Sequence, residues 1–256
     1  MGRFEGQTVL VTGATGGMGR RHVHAFHREG AAVVIAARDQ AAGVALAEQL
    51  GERALAVRLD VTDEQHWSAA VAASEQRFGP LSVLVANAGV QHPPTLLEDA
   101  DRSLWDTVTA VNVTGTALGI RAVAPSMRRG GGGVIVTVAS TMAHGGTAAF
   151  GPYVAAKWAV RGLTRTAALE LGRDGVRVVS LTPGVVATPL ITEPLAEGVP
   201  AIAEVFDPEP FAVPRMGDPD EISRALLFLA SPDAAFITGS ELVVDGGLLL
   251  GPALPA

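Results

Sequence analysis

Tyr153 and Lys157 stand four residues apart in Tyr-Val-Ala-Ala-Lys, and Tyr153 is the only tyrosine among 256 residues. On a helix that spacing sets both side chains on one face, within reach of each other. A phenol has a pKa near ~10 and is a poor base at neutral pH. A neighbouring ammonium favours the phenolate. A fall of ~3 units corresponds to roughly 4 kcal/mol of differential stabilisation. The expected product is a proton donor and acceptor matched to cellular pH. The same pair also occurs by chance, so it gains meaning only from its surroundings.

Those surroundings begin at the N-terminus. Thr8 to Thr12 reads as a short buried strand, followed at once by Gly13-Ala14-Thr15-Gly16-Gly17-Met18-Gly19 and a helix from Met18 to Glu29. Strand, glycine turn and helix in that order let backbone N–H groups approach a pyrophosphate at the positive end of the helix. The alternation then repeats. Strands are expected at Ala32–Ala36, Ala54–Leu59, Leu81–Ala86, Val134–Val138, Val176–Leu181 and Leu242–Val244. Helices are expected at Gln40–Leu50, Asp63–Phe78 with Asp63 as its cap, Leu104–Met127, Tyr153–Gly172 and Asp218–Leu229. Strands alternating with helices predict a parallel sheet covered on both faces. One segment departs from this rhythm. Pro189 to Pro214 carries six prolines among apolar residues, which forbids a long helix and marks a candidate lid, with a subunit contact as the other reading.

Composition narrows the function. Apolar residues make up 48% and charged ones 18%, as in a globular chain. Nineteen Lys and Arg against 26 Asp and Glu leave a net charge of −7, which favours neither nucleic acid nor an anionic membrane. The absence of cysteine excludes disulfides and thiolate chemistry. No signal-peptide pattern opens the chain and no apolar run approaches ~18 residues, so a cytoplasmic protein without a membrane span is expected. His22, His24 and His27 share one helix, but their spacing completes no ligand set. They read as a solvated face, and no catalytic metal is expected.

Taken together and in order, the motifs resemble those of the short-chain dehydrogenases/reductases over nearly the whole chain. They are Thr12 to Gly19, Asp60-Val61, Asn87-Ala88-Gly89, Asn112, Ser140, Tyr153 with Lys157, Pro183-Gly184 through Thr188, Arg215 to Glu221, and Val244-Asp245-Gly246-Gly247. The resemblance implies a single α/β Rossmann-fold domain over residues 1–256, with a seven-stranded, parallel, doubly wound sheet and a nicotinamide cofactor. It implies that Ser140 holds the substrate oxygen and Tyr153 exchanges the proton. Lys157 would bond the nicotinamide ribose and depress the Tyr153 pKa, and Asn112 would hold a water of the proton relay. By the same likeness, Gly13, Thr15, Gly16, Gly17, Met18 and Gly19 would cradle the pyrophosphate and Asp60 with Val61 the adenine. Asn87, Ala88 and Gly89 would back the adenosine ribose. Pro183, Gly184, Val186 and Thr188 would meet the nicotinamide. Many relatives have Asn-Asn-Ala-Gly where this chain has Ala86 before Asn87. A homotetramer is also implied, with the long helices and the Leu248–Ala256 tail at its interfaces.

Cofactor and substrate follow from finer features. After the second strand an acid would bond a ribose 2′-hydroxyl, but Ala37 and then Arg38 stand there. A guanidinium suits a 2′-phosphate, so NADP(H) is expected over NAD(H), with Asp39 able to weaken the effect by pairing with Arg38. Similarity in Lys157–Leu163, Thr188–Leu190 and Thr238–Gly247 is strongest to bacterial hydroxysteroid dehydrogenases of the family. The expected substrate contacts are Ser140, Met142, His144, Phe150, Tyr153, Val185 and Leu190, with His92, Phe206 and Phe211 nearby. This largely apolar set suits a bulky ring or chain. A 3-oxoacyl thioester reductase is the alternative enzyme, although Pro189–Pro214 has no basic residue. A dinucleotide-sensing regulator or an interaction module are the alternatives outside catalysis.

Overall fold

A computed structural model describes residues 2–253. Seven strands form one sheet in which every pairing is parallel: β1 (Thr8–Thr12), β2 (Ala32–Ala37), β3 (Ala54–Arg58), β4 (Val83–Ala86), β5 (Gly133–Val138), β6 (Val176–Pro183) and β7 (Glu241–Val244). Their spatial order is β3-β2-β1-β4-β5-β6-β7, so the order reverses between β1 and β4. In open sheets of this kind ligands bind beyond the carboxyl ends of the strands at that reversal.

Both faces are covered, which explains the unbroken apolar runs in the central strands. Helices α1 (Gly17–Arg28) and α2 (Gln40–Leu50) cover one face. There Phe26, Leu46, Ile222 and Leu226 pack on Val9, Val33 and Val85. Helix α3 (Glu64–Phe78) shares the other face with two later helices, and Trp67, Val123, Met127 and Leu171 pack on Leu10, Leu84 and Ile135. Full burial of one such side chain contributes about 1.5–3 kcal/mol. His22 lies inside the first of these layers and not on a solvated face. It is fully buried, its Nδ1 lies 2.8 Å from Ser223 Oγ, and burial pushes its pKa down to about 3.

Helix starts follow local chemistry. Asp63 accepts from Gln65 N and His66 N, and Asp101 accepts from Leu104 N. The expected long helix is in fact three pieces: α4 (Arg102–Thr109), a π-helical turn (Ala110–Thr114) and α5 (Gly115–Arg129). The cause sits in the turn. Asn112 Nδ2 donates to Val108 O at 2.9 Å, the carbonyl that its own backbone N–H would use in an α-helix.

Helix α6 (Gly151–Leu171) carries Tyr153 and Lys157. Residues 189–214 hold only two single-turn helices, α7 (Pro189–Thr192) and α8 (Ile202–Val205), as the prolines require. Helix α9 (Pro219–Ala230) begins with a reciprocal cap between Asp218 and Glu221. Of the C-terminal tail, Leu248–Leu250 forms a short turn with Leu250 89% exposed, and residues 254–256 lie outside the described residues. Among the described residues no helix is long and apolar enough to cross a membrane, and no cluster of metal-binding side chains occurs.

Candidate active site

The cleft lies where the sheet order predicts it. A cavity of about 510 Å³ is lined by the Gly13–Gly16 turn, by Ala37, Arg38 and Asp39 after β2, and by Asp60, Val61, Ala88 and Gly89. A second, of about 440 Å³, lies between Gly16–Gly19 with Asn87–Gly89 and the stretch Thr188–Leu190. These two hollows bring the expected pyrophosphate, adenine and ribose residues to one side of the sheet.

The glycine turn is built for a close approach. At Gly19 an added Cβ would lie 2.1 Å from Gly13 O, so only glycine lets the helix enter this tightly. No side chain caps α1 and no acid occupies its first turn. Its free N–H groups and partial positive charge therefore face the hollow, which fits a dinucleotide pyrophosphate. Thr12 Oγ1 accepts from Asn87 N and Ala88 N, and Asn87 Nδ2 donates to Thr12 O. Asn87 thus ties β4 to β1 while Ala88 and Gly89 present their backbone to the hollow. On the far wall, buried Thr188 stands 3.2 Å from where a Gly17 Cβ would be. Pro183 and Val186 are also buried there, and Gly184 abuts Asp245.

At the adenine end, Asp60 accepts from Thr62 N (3.0 Å) and Thr62 Oγ1 (2.7 Å). These bonds, with help from the Arg38 charge, hold its carboxyl below the usual range. The pairing of Arg38 with Asp39 that could weaken the NADP(H) expectation is not found among the described residues. Asp39 Oδ1 instead accepts from Ala42 N at 3.0 Å and caps α2. Arg38 is exposed and forms no ion pair among the described residues.

The proton-handling groups meet at the carboxyl end of β5. Ser140 starts the turn Thr141–Ala143, and its Oγ accepts from Met142 N at 3.2 Å. Tyr153 is half-buried on the first turn of α6, near enough to Ser140 for that side chain to act on its phenol. Lys157 is 4% exposed and donates from Nζ to Val138 O at 2.9 Å. Here the electrostatics reverse the expectation. Burial pushes the Tyr153 phenol up to about 12, Ser140 opposing it, and burial pulls Lys157 down to about 8. The ammonium is spent on a carbonyl and sits 5.5 Å from the centre of the Tyr153 ring. It therefore stabilises the phenolate less than desolvation penalises it.

Asn112 also differs in detail. Both amide hydrogens are used, toward Val90 O and Val108 O at 2.9 Å each, and Oδ1 accepts from Val90 N. Its side chain braces the loop after β4. Even so, Gly89 joins it to the site. A Cβ there would lie 2.7 Å from Asn112 Oδ1 and 3.5 Å from Lys157 Nζ.

Of the expected substrate contacts, Met142, Phe150 and Val185 are partly exposed, and Leu190 is 40% exposed on α7. Phe150 packs on the buried His92 ring at 5.6 Å. His144 is partly exposed, and its Nε2 lies 3.2 Å from Glu241 Oε2, a carboxylate that reaches it from β7. Sequence reasoning missed Glu241 and its partner Arg161. The available signal was that Arg161 follows Lys157 by four residues on the same helix.

Comparison with known proteins finds relatives over nearly the whole chain. The family model described as enoyl-(acyl carrier protein) reductase matches residues 13–249. A 3-alpha-(or 20-beta)-hydroxysteroid dehydrogenase of Mycobacterium bovis is 42% identical over 98% of this chain and 93% of its own length. A trans-4-hydroxycyclohexanecarboxylate dehydrogenase of Sinomonas cyclohexanicum is 40% identical over 97% of this chain and 95% of its own. A 3-ketoacyl-(acyl-carrier-protein) reductase from Brucella melitensis, solved with NADH, superposes with a TM-score of 0.88. It is 36% identical over 96% of this chain and 99% of that one.

Proposed function

This chain belongs to the short-chain dehydrogenases/reductases, and on that premise we propose that it interconverts a ketone and a secondary alcohol on a bulky, hydrophobic, ring-containing substrate. NADP(H) is the preferred cofactor and Tyr153 the general acid and base. The observation that carries this is the meeting of Ser140, Tyr153 and Lys157 beside the glycine-lined cleft. When bound, NADP(H) supplies or accepts hydride. The chain's own residues do the rest. Ser140 Oγ donates a hydrogen bond to the substrate oxygen and fixes it against the phenol. Tyr153, its phenol pushed up by burial and so protonated, passes its proton to that oxygen in the reductive direction and takes it back in the other. Lys157, brought down to about 8, then shares protons with the site at cellular pH, next to Asn112 across Gly89.

The apolar contacts and the similarity to hydroxysteroid and cyclic-alcohol dehydrogenases support a ring substrate. NADP(H) is supported by the unpaired Arg38 guanidinium and by Ala37 where an acid would repel a 2′-phosphate. We read residues 1–256 as one catalytic domain and the protein as a homo-oligomer. A 3-oxoacyl thioester reductase is the second reading, favoured by the fold match to the Brucella melitensis enzyme. Residues 189–214 weigh against it. They carry five carboxylates and no basic side chain, a poor surface for an anionic thioester carrier.

The test is turnover of cyclic ketones and secondary alcohols, followed by the absorbance of reduced nicotinamide, in the wild type and in Tyr153→Phe. Tyr153→Phe is expected to keep NADPH affinity and to lose about 10²–10⁴-fold in kcat, the span for a general acid. Equal turnover by the variant ends the assignment. Reduction of 3-oxoacyl thioesters alone moves it to the second reading, and cofactor binding without any turnover moves it to a sensor.

A further inference from the structure

The catalytic helix carries a third polar residue on its working face. Arg161 follows Lys157 by four residues, so Tyr153, Lys157 and Arg161 form one stripe along α6. Three side chains of this helix donate to the chain on either side of Ser140. Lys157 Nζ donates to Val138 O, Arg161 Nη1 to Ala143 O and Trp158 Nε1 to Gly145 O. The Ser140 turn is closed by Ala143 N donating to Ser140 O at 2.8 Å. Arg161 therefore grips the last residue of the turn whose first residue is Ser140.

Arg161 is itself held from a distant strand. Its Nη2 donates to Glu241 Oε1 at 2.6 Å, across 80 residues of sequence, and its guanidinium lies 4.9 Å from the centre of the Trp158 ring. The other Glu241 oxygen lies 3.2 Å from His144 Nε2, the residue just after the turn, close but not aligned for a hydrogen bond. Side chains of Arg161 and Glu241 are only 12% and 18% exposed. A planar guanidinium can hold a carbonyl and a carboxylate at once in fixed directions, which an ammonium cannot.

We infer that Arg161, oriented by Glu241, is a positioning residue that sets the Ser140 hydroxyl against Tyr153 by holding the Ser140–Ala143 turn on the catalytic helix. Neither residue touches substrate. The inference rests on the roles of Ser140 and Tyr153 in the proposed function and adds to them the part that fixes their separation.

The experiment is a double-mutant cycle on ketone reduction with NADPH. Arg161→Met and Arg161→Lys are each made alone and in the Ser140→Ala background. Arg161→Met is expected to lower kcat about 10–100-fold, the scale of a misplacement near 1 Å. NADPH affinity stays unchanged, and Arg161→Lys recovers part of the loss. With Ser140 already removed, Arg161→Met costs less than about 3-fold, because coupled sites are non-additive. An equal loss in both backgrounds, or no loss in kcat, overturns the inference. Should Arg161→Met fail to fold, Glu241→Gln takes its place in the cycle. A crystal structure of the variant reads the inference without turnover. A Ser140 Oγ displaced from Tyr153 Oη supports it and an unmoved one sinks it, even if no ketone proves to be a substrate and the proposed function fails.

Discussion

The two walls of the cleft are made differently. The nucleotide wall, from β1 through the loop after β4, is regular structure whose contacts are mostly backbone. Its narrowest point is Gly19 against Gly13 O. The substrate wall, from Val185 to Gly217, has two single-turn helices, six prolines and five carboxylates, with Leu190, Val205 and Val213 left exposed. In the proposed function the first wall recognises a ligand part that is always the same, which suits a geometry held by strands and helix ends. The second would meet the variable part, and few long-range bonds constrain it.

That contrast is open to attack by mutation. The largest effect is expected at Gly19→Ala, where the new Cβ meets a carbonyl that cannot move aside. It should cost about 1–3 kcal/mol of stability by overpacking, and NADPH binding should fall below detection. Thermal melts and fluorescence titration read both, and a variant that still binds tightly would break the contrast. A smaller change is expected at Arg38→Ala. The ratio of kcat/KM for NADPH over NADH should fall about 10–100-fold if the guanidinium holds a phosphate through charge-assisted bonds. A wild type that prefers NADH refutes that role. The smallest effect belongs to the lid, where Phe206 and Phe211 stack at 5.9 Å. Phe206→Ala should raise the KM of a ring substrate about 3–10-fold, the scale of a lost aromatic pair. NADPH affinity and melting temperature should hold steady. If cofactor affinity fell instead, the two walls would not be independent.

Much of the nucleotide wall was legible because its signals are local. Asp63 and Asp218 announce helix starts, Gly13 to Gly19 announces a turn, and Tyr153 with Lys157 needs only the pitch of a helix. The proline-broken apolar stretch at residues 189–214 was legible, but its two short helices and the Phe206–Phe211 stack were not. The π-helical turn at Asn112 escaped because it depends on one side chain competing for the Val108 carbonyl. Asp39 was weighed against Arg38, yet a cap three residues ahead claimed it.

The order of strands and helices, the place of the glycine turn and the four-residue spacing of Tyr153 and Lys157 on one helix were determined by sequence alone. Each follows from periodicities and caps that span a few residues of covalent chain. Tertiary structure alone decided the direction of the Tyr153 pKa, the approach of Glu241 to His144 and the hold of Arg161 on the Ser140 turn. Those depend on how much protein surrounds a group and on which partner arrives from a distant strand. Desolvation and long-range pairing exist only once the chain has closed on itself.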